Sequence, residues 1–170
     1  IMINDIIDFL KFQSKDIEHY QQYQIGLILL IVTLLEIPYT FLSEGYNSSL
    51  APDLVINLLI TIPSVLIEAI FFVYWLGRKD KKYSFATVLN LTAMLTISTS
   101  IVIIAFAAIS QNLDPSSWAS IVIALIVIIY CIYLLTANMS MATGVSKKYI
   151  LGGVLIIIAL LQIPTQLLLL

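Results

Sequence analysis

Two acids sit where acids are costly. Glu36 and Glu68 each fall inside a long apolar run, and the interior of no such run holds a Lys, Arg or His to pair with them. Glu68 heads a polar series, Asn57, Thr61, Ser64 and Glu68, spaced four, three and four residues apart, which makes one stripe on a helix. It lies fifteen residues after Asp53 and ten before Arg78. At helical rise that is about 22 Å from one end and about 15 Å from the other, near the midplane of a bilayer. Glu36 stands six residues before Leu42, about 9 Å below the end of its run. Carboxyls so placed mark a proton or cation site, or a contact to a partner's basic residue. Equally, each can be a neutral acid hydrogen-bonded to a neighbouring helix. Gln162 and Gln166, one turn apart, complete the candidate polar site. Thr92, Thr96, Thr99 and Ser100 are residues of the kind that join helices to one another.

Prolines accompany these groups. Pro38, Pro63 and Pro164 interrupt apolar runs, and each frees the carbonyl four residues earlier, at Leu34, Leu59 and Leu160. Leu35-Glu36-Ile37-Pro38 resembles Leu161-Gln162-Ile163-Pro164, so both kinks carry a polar side chain two residues before the proline. Such kinks either serve packing or line a ligand cavity with broken helices.

The elements that position these residues follow from composition. Of 170 residues, 61% are hydrophobic and only 11% charged, against about 25% charged in a soluble domain. The sequence therefore predicts an all-α, polytopic membrane bundle. Five spans are expected, at about 22–42, 54–77, 84–109, 117–138 and 148–169. Residues 1–21 form a separate amphipathic segment, in which Ile3, Ile6, Ile7 and Leu10 recur at helical spacing. That segment either lies on the membrane surface or packs on the cytoplasmic ends of the bundle. Asp114-Pro115-Ser116 reads as the start of the fourth span, with Asp114 as N-cap. Trp75, Trp118, Tyr23, Tyr83 and Tyr149 fall at span ends, where interfacial aromatics belong.

All eight basic residues lie before the first span, between the second and third, or between the fourth and fifth: Lys11, Lys15, Arg78, Lys79, Lys81, Lys82, Lys147 and Lys148. Loops 43–53 and 110–116 have none. The N-terminus is expected in the cytoplasm and the C-terminus outside, with the loop cations as cytoplasmic anchors. The apolar run Leu167–Leu170 gives no sign of an outer domain, and no cleavable signal peptide is visible. Asn47-Ser48-Ser49 is a glycosylation sequon that matters only in a secretory compartment.

Several chemistries lack their residues. There is one His, His19, outside the spans, and one Cys, Cys131. No haem pair, metal cluster, disulfide framework or Ser–His dyad can be assembled from these, and no phosphate-binding Gly-rich loop occurs. The expectation is a non-enzymatic protein without cofactors or nucleic acid. Its partners are the lipid bilayer and further copies of itself or other membrane proteins.

Gly77-Arg78-Lys79-Asp80-Lys81-Lys82 leads into Tyr83-Ser84-Phe85-Ala86-Thr87-Val88-Leu89, Trp118 opens the fourth span, and Thr143-Gly144-Val145-Ser146-Lys147-Lys148 precedes the fifth. In these segments, in span number and in orientation, the chain resembles the Yip (Ypt/Rab-interacting) family of membrane proteins. It lacks the proline that the family often carries in its third helix and the long N-terminal region of the eukaryotic trafficking members. The resemblance thus implies a bacterial-type member of the inner membrane, with an endomembrane location as the alternative. It implies a scaffold or accessory subunit acting through helix contacts. The alternative function is a small transporter or lipid-handling protein that uses Glu68 and the kinked helices.

Overall fold

Long apolar runs become long helices, because in lipid every backbone amide must find its partner within the segment. The computed structural model describes residues 2–44, 50–110 and 117–168, with the side chains at 43–44, 50–51, 53 and 162–168 excepted. Its helices are α1 (Met2–Leu10), α2 (Ile25–Glu44), α3 (Leu50–Gly77), α4 (Phe85–Ser110), α5 (Trp118–Thr143) and α6 (Lys147–Leu168), with a 3-10 turn at Ile17–Gln22. No strand occurs among the described residues. Four stretches are long and apolar enough to cross a membrane: Ile25–Leu42, Leu54–Gly77, Phe85–Ser110 and Trp118–Thr143. They are the hallmark of an integral membrane protein.

The central element is α4, which touches α1, the 3-10 turn, α2, α3 and α5. A helix that is apolar all round must be surrounded, and from Thr87 to Ser98 nearly every α4 residue is buried. On α5 the buried stretch is the opposite end, from Leu134 to Thr143. Both stretches lie at the same end of the bundle. There Tyr83 Oη donates to Thr143 O at 3.1 Å, and Asn138 Nδ2 donates to Phe9 O at 2.9 Å. Asn90 Nδ2 donates to Tyr20 O and Tyr23 O at 2.9 and 3.0 Å. The three segments that carry all the Lys and Arg residues are thereby gathered at one end.

Residues 2–24 pack on that end of the bundle, the second of the two placements open to the segment. Phe9, Ile17 and Tyr20 are fully buried, each contributing about 1.5–3 kcal/mol by removal from water. The face that packs takes only part of the Ile3–Leu10 stripe, with Ile6 and Leu10 against the core. Asp5 and Phe9 point inward, whereas Ile3 is 70% exposed and Ile7 is exposed as well. The helix ends where Gln13 N bonds Asp8 O and Phe12 N bonds Phe9 O, a Schellman turn with Phe12 in the left-handed region at φ 57°. Glycine is usual there; Phe12 is held by edge contacts to Tyr130 and Tyr133, at 5.5 and 5.0 Å between ring centroids.

Span boundaries shift by a few residues, most at the fourth span. The fourth span continues to Thr143 rather than stopping at 138, because Asn138, Ser140 and Thr143 bond to backbone carbonyls inside the protein. Its N-cap is Ser117, whose hydroxyl accepts from Ser120 N at 3.2 Å, and not Asp114. Asp114, Pro115 and Ser116, like the sequon Asn47-Ser48-Ser49, lie outside the described residues. The helices run unbroken through Pro38 and Pro63. Pro164 is within α6, and its side chain is not among those described.

The span-end aromatics divide in role. Trp118 is 82% exposed. Trp75 instead docks on α6. It stacks on Tyr149 at 4.8 Å between centroids, and its indole N–H donates to Tyr149 O at 3.1 Å. Tyr149 Oη donates back to Trp75 O at 2.9 Å. Gly153 makes room for this contact: a Cβ there would lie 2.7 Å from Trp75 Nε1.

Candidate functional site

The polar stripe of α3 does not meet one neighbour. Its half nearer the N-terminus of α3 meets α2. Asn57 and Thr61 are one turn apart on α3; Glu36 and Thr40 are one turn apart on α2. In an antiparallel pair the two steps face each other. Thr61 Oγ1 donates to Glu36 Oε1 at 2.9 Å, and Asn57 Nδ2 donates to Thr40 Oγ1 at 2.9 Å. Thr40 Oγ1 in turn donates to Glu36 O at 2.7 Å. Glu36 is only 8% exposed. Beside it is a cavity of about 270 Å³ between α2, α3 and α4, lined by Leu35, Glu36, Tyr39, Asn57, Ile60, Thr61, Ser100 and Ile103.

The half of the stripe nearer the C-terminus of α3 turns elsewhere. Ser64 Oγ donates to Ile60 O, within its own helix. Glu68 is half-buried against a separate cavity of about 20 Å³ between α3, α4, α5 and α6, lined by Phe72, Thr92, Leu95, Met139 and Val154 among others. That is room for about one water molecule. Among the described residues no hydrogen bond or ion pair reaches the Glu68 carboxyl. Thus Glu36, Asn57 and Thr61 come together, while Ser64 and Glu68 stand apart from them. The side chains of Gln162 and Gln166 lie outside those described.

The loop cations stay exposed at the packed end. Arg78 lies over the Tyr74 ring at 5.8 Å, Lys79 over Tyr149 at 4.9 Å and Lys147 over Tyr133 at 5.5 Å. Lys81, Lys82 and Lys148 are exposed too.

Sequence reasoning missed one cluster altogether. Asp5, 1% exposed, accepts from Lys15 Nζ at 2.5 Å, is bonded to His19 Nε2 at 2.8 Å, and accepts from the Tyr23 hydroxyl. Burial pushes the Asp5 carboxyl up, but the bonds from Lys15, Tyr23 and His19 outweigh it and hold the group below its ordinary value of 3.8. Burial and the bond to Asp5 push the Tyr23 phenol up. The available signal was Asp5 standing one turn before Phe9, on one face of a short helix.

Compared with known proteins, the chain matches no family model, no curated protein and no solved structure.

Proposed function

We propose that the chain is a five-span integral membrane protein that handles a small ligand in the cavity between α2, α3 and α4, without catalysing a reaction. The observation that carries this reading is Glu36: a buried intramembrane acid beside about 270 Å³ of polar-lined space within a single chain. Glu68 fits the same reading, because it borders space between helices of one chain. Its own cavity has room for water and not for a substrate.

The fifth span is α6, whose 22 residues reach about 33 Å, enough for a hydrocarbon core. The gathering of every Lys and Arg at one end supports a cytoplasmic N-terminus and an external C-terminus. This architecture supports a bacterial-type, Yip-like protein of the cytoplasmic membrane. A second reading, a scaffold acting through lateral contacts, is favoured by the outer half of α5, which leaves Trp118, Val122, Leu125, Ile126 and Ile129 exposed.

Thiol labelling tests the first reading. With Cys131 replaced by Ala, Ser100→Cys is expected to react from the outer side with a small water-soluble thiol reagent, while Ile126→Cys on the apolar surface does not. A silent Ser100→Cys, together with cross-linking between copies through Ile126→Cys, favours the scaffold. In the same background Ser84→Cys and Ser146→Cys react only from the cytoplasmic side; external labelling of either ends the five-span topology.

A further inference from the structure

We infer that the cavity between α2, α3 and α4 takes a primary organic ammonium group, held by Glu36 and Asn57. This rests on the reading of that cavity as a ligand site and names the class of ligand.

The direction of the hydrogen bonds decides the class. The Thr40 hydroxyl has one proton and gives it to Glu36 O, so toward Asn57 it can only accept. The amide group facing it is therefore Nδ2, which leaves Asn57 Oδ1 as an acceptor. Thr61 spends its hydroxyl proton on Glu36 Oε1. Glu36 Oε2 has no donor among the described residues. Apart from the hydroxyls of Ser100 and Tyr39 and the second N–H of Asn57 Nδ2, the polar groups left to a ligand are acceptors: a carboxyl oxygen, an amide oxygen and the lone pairs of Thr61. An ammonium group brings three donors and no acceptor. A carboxylate or phosphate ligand would face the Glu36 carboxyl with no cation in the spans to offset it.

Charge and shape point the same way. Glu36 is buried, and the span interiors contain no cation to face it. A bound ammonium supplies that counter-charge, and an unpaired buried charge is costly. The cavity also exceeds a bare ion. Its 270 Å³ equals the liquid volume of roughly nine waters. Leu35 and Ile103 line part of it with hydrocarbon, and Tyr39 adds an aromatic ring. That suits a short alkyl or aryl tail beside the charged head. Free amines and the ethanolamine headgroup of a phospholipid both carry such a group.

The test uses the full chain with Cys131→Ala and Ser100→Cys in phosphatidylcholine nanodiscs, and reads the rate of modification by a small water-soluble thiol reagent. We expect n-butylammonium to slow the reaction saturably, and 1-butanol, butyrate and potassium ion not to. Adding Glu36→Gln should weaken the protection by about tenfold or more, the loss of one charge-assisted hydrogen bond. Asn57→Leu, which keeps the carboxyl, should weaken it in the same direction and serves if the Gln variant does not fold. Equal protection by 1-butanol overturns the ammonium assignment and leaves the cavity as a ligand site. A Ser100→Cys that never reacts, in folded protein, overturns both. Phosphatidylethanolamine in the disc distinguishes the source: slowed labelling that Glu36→Gln restores assigns the group to a lipid headgroup, and unchanged labelling assigns it to a free amine.

Discussion

The two ends of the bundle are held by different forces. At the basic end, α4 and α5 are buried for three turns or so, and polar side chains tie the segments together: Asn90 and Asn138 to the N-terminal backbone, Tyr83 to Thr143, Trp75 to α6. At the other end, α5 turns apolar side chains outward, and polar groups surround a cavity. The acids follow the same division. Asp5, near water, has three bonding partners; Glu36 has one; Glu68 has none among the described residues. Lipid tails are as apolar as leucine, so burying leucine against leucine inside a bilayer gains little. Tight packing pays where loops and helix ends meet water, and the membrane half is left free to hold a cavity.

That contrast can be broken most sharply at Gly153. Gly153→Ala places a methyl against an indole that is stacked and hydrogen-bonded and so cannot swing aside. It should cost about 3 kcal/mol, the upper end of overpacking, read as a lower midpoint of unfolding in detergent. Adding Trp75→Leu should recover part of the loss. A neutral Gly153→Ala would mean that the basic end is not rigid.

Next comes Asp5. Asp5→Ala should loosen residues 2–24 by about 2–3 kcal/mol, since His19 and Tyr23 lose a charged partner, read as faster proteolysis within 11–24. The pH sign follows from a folded value held below 3.8. The contribution of Asp5 is complete above pH 3.8 and is lost as pH falls through the lower folded value. The contribution of Asp5 should therefore be unchanged between pH 7 and pH 5, with docking weakened only in stronger acid. Release between pH 7 and pH 5 would show that another group governs the contact.

Smaller effects belong to single amides. Asn90→Ala removes two bonds to backbone carbonyls but also an oxygen that has no partner, so a loss of about 1 kcal/mol is expected. At the open end, Glu68→Gln and Ile126→Ala should each change stability by under about 0.5 kcal/mol, because no bond is lost in the first and lipid replaces the side chain in the second. A large loss at Ile126 in a reconstituted bilayer would instead reveal a partner on that face.

Much of the architecture was legible in the residues. Apolar runs of span length became helices, and the partition of Lys and Arg matches the end where the segments gather. The stripe from Asn57 to Glu68 was legible only as a stripe. Spacing fixes the face of a helix, since each residue advances the chain by a constant rotation. It does not fix which neighbour that face meets along a 28-residue helix. Only the packing of α3, first on α2 and then among α4, α5 and α6, divides the stripe into a hydrogen-bonded cluster at Glu36 and a bare carboxyl at Glu68. The role of Asp5 was not legible for a related reason. On a nine-residue helix with apolar side chains on several faces, composition cannot choose the buried side; the partners Lys15, His19 and Tyr23 choose it, and they come together only when the chain folds.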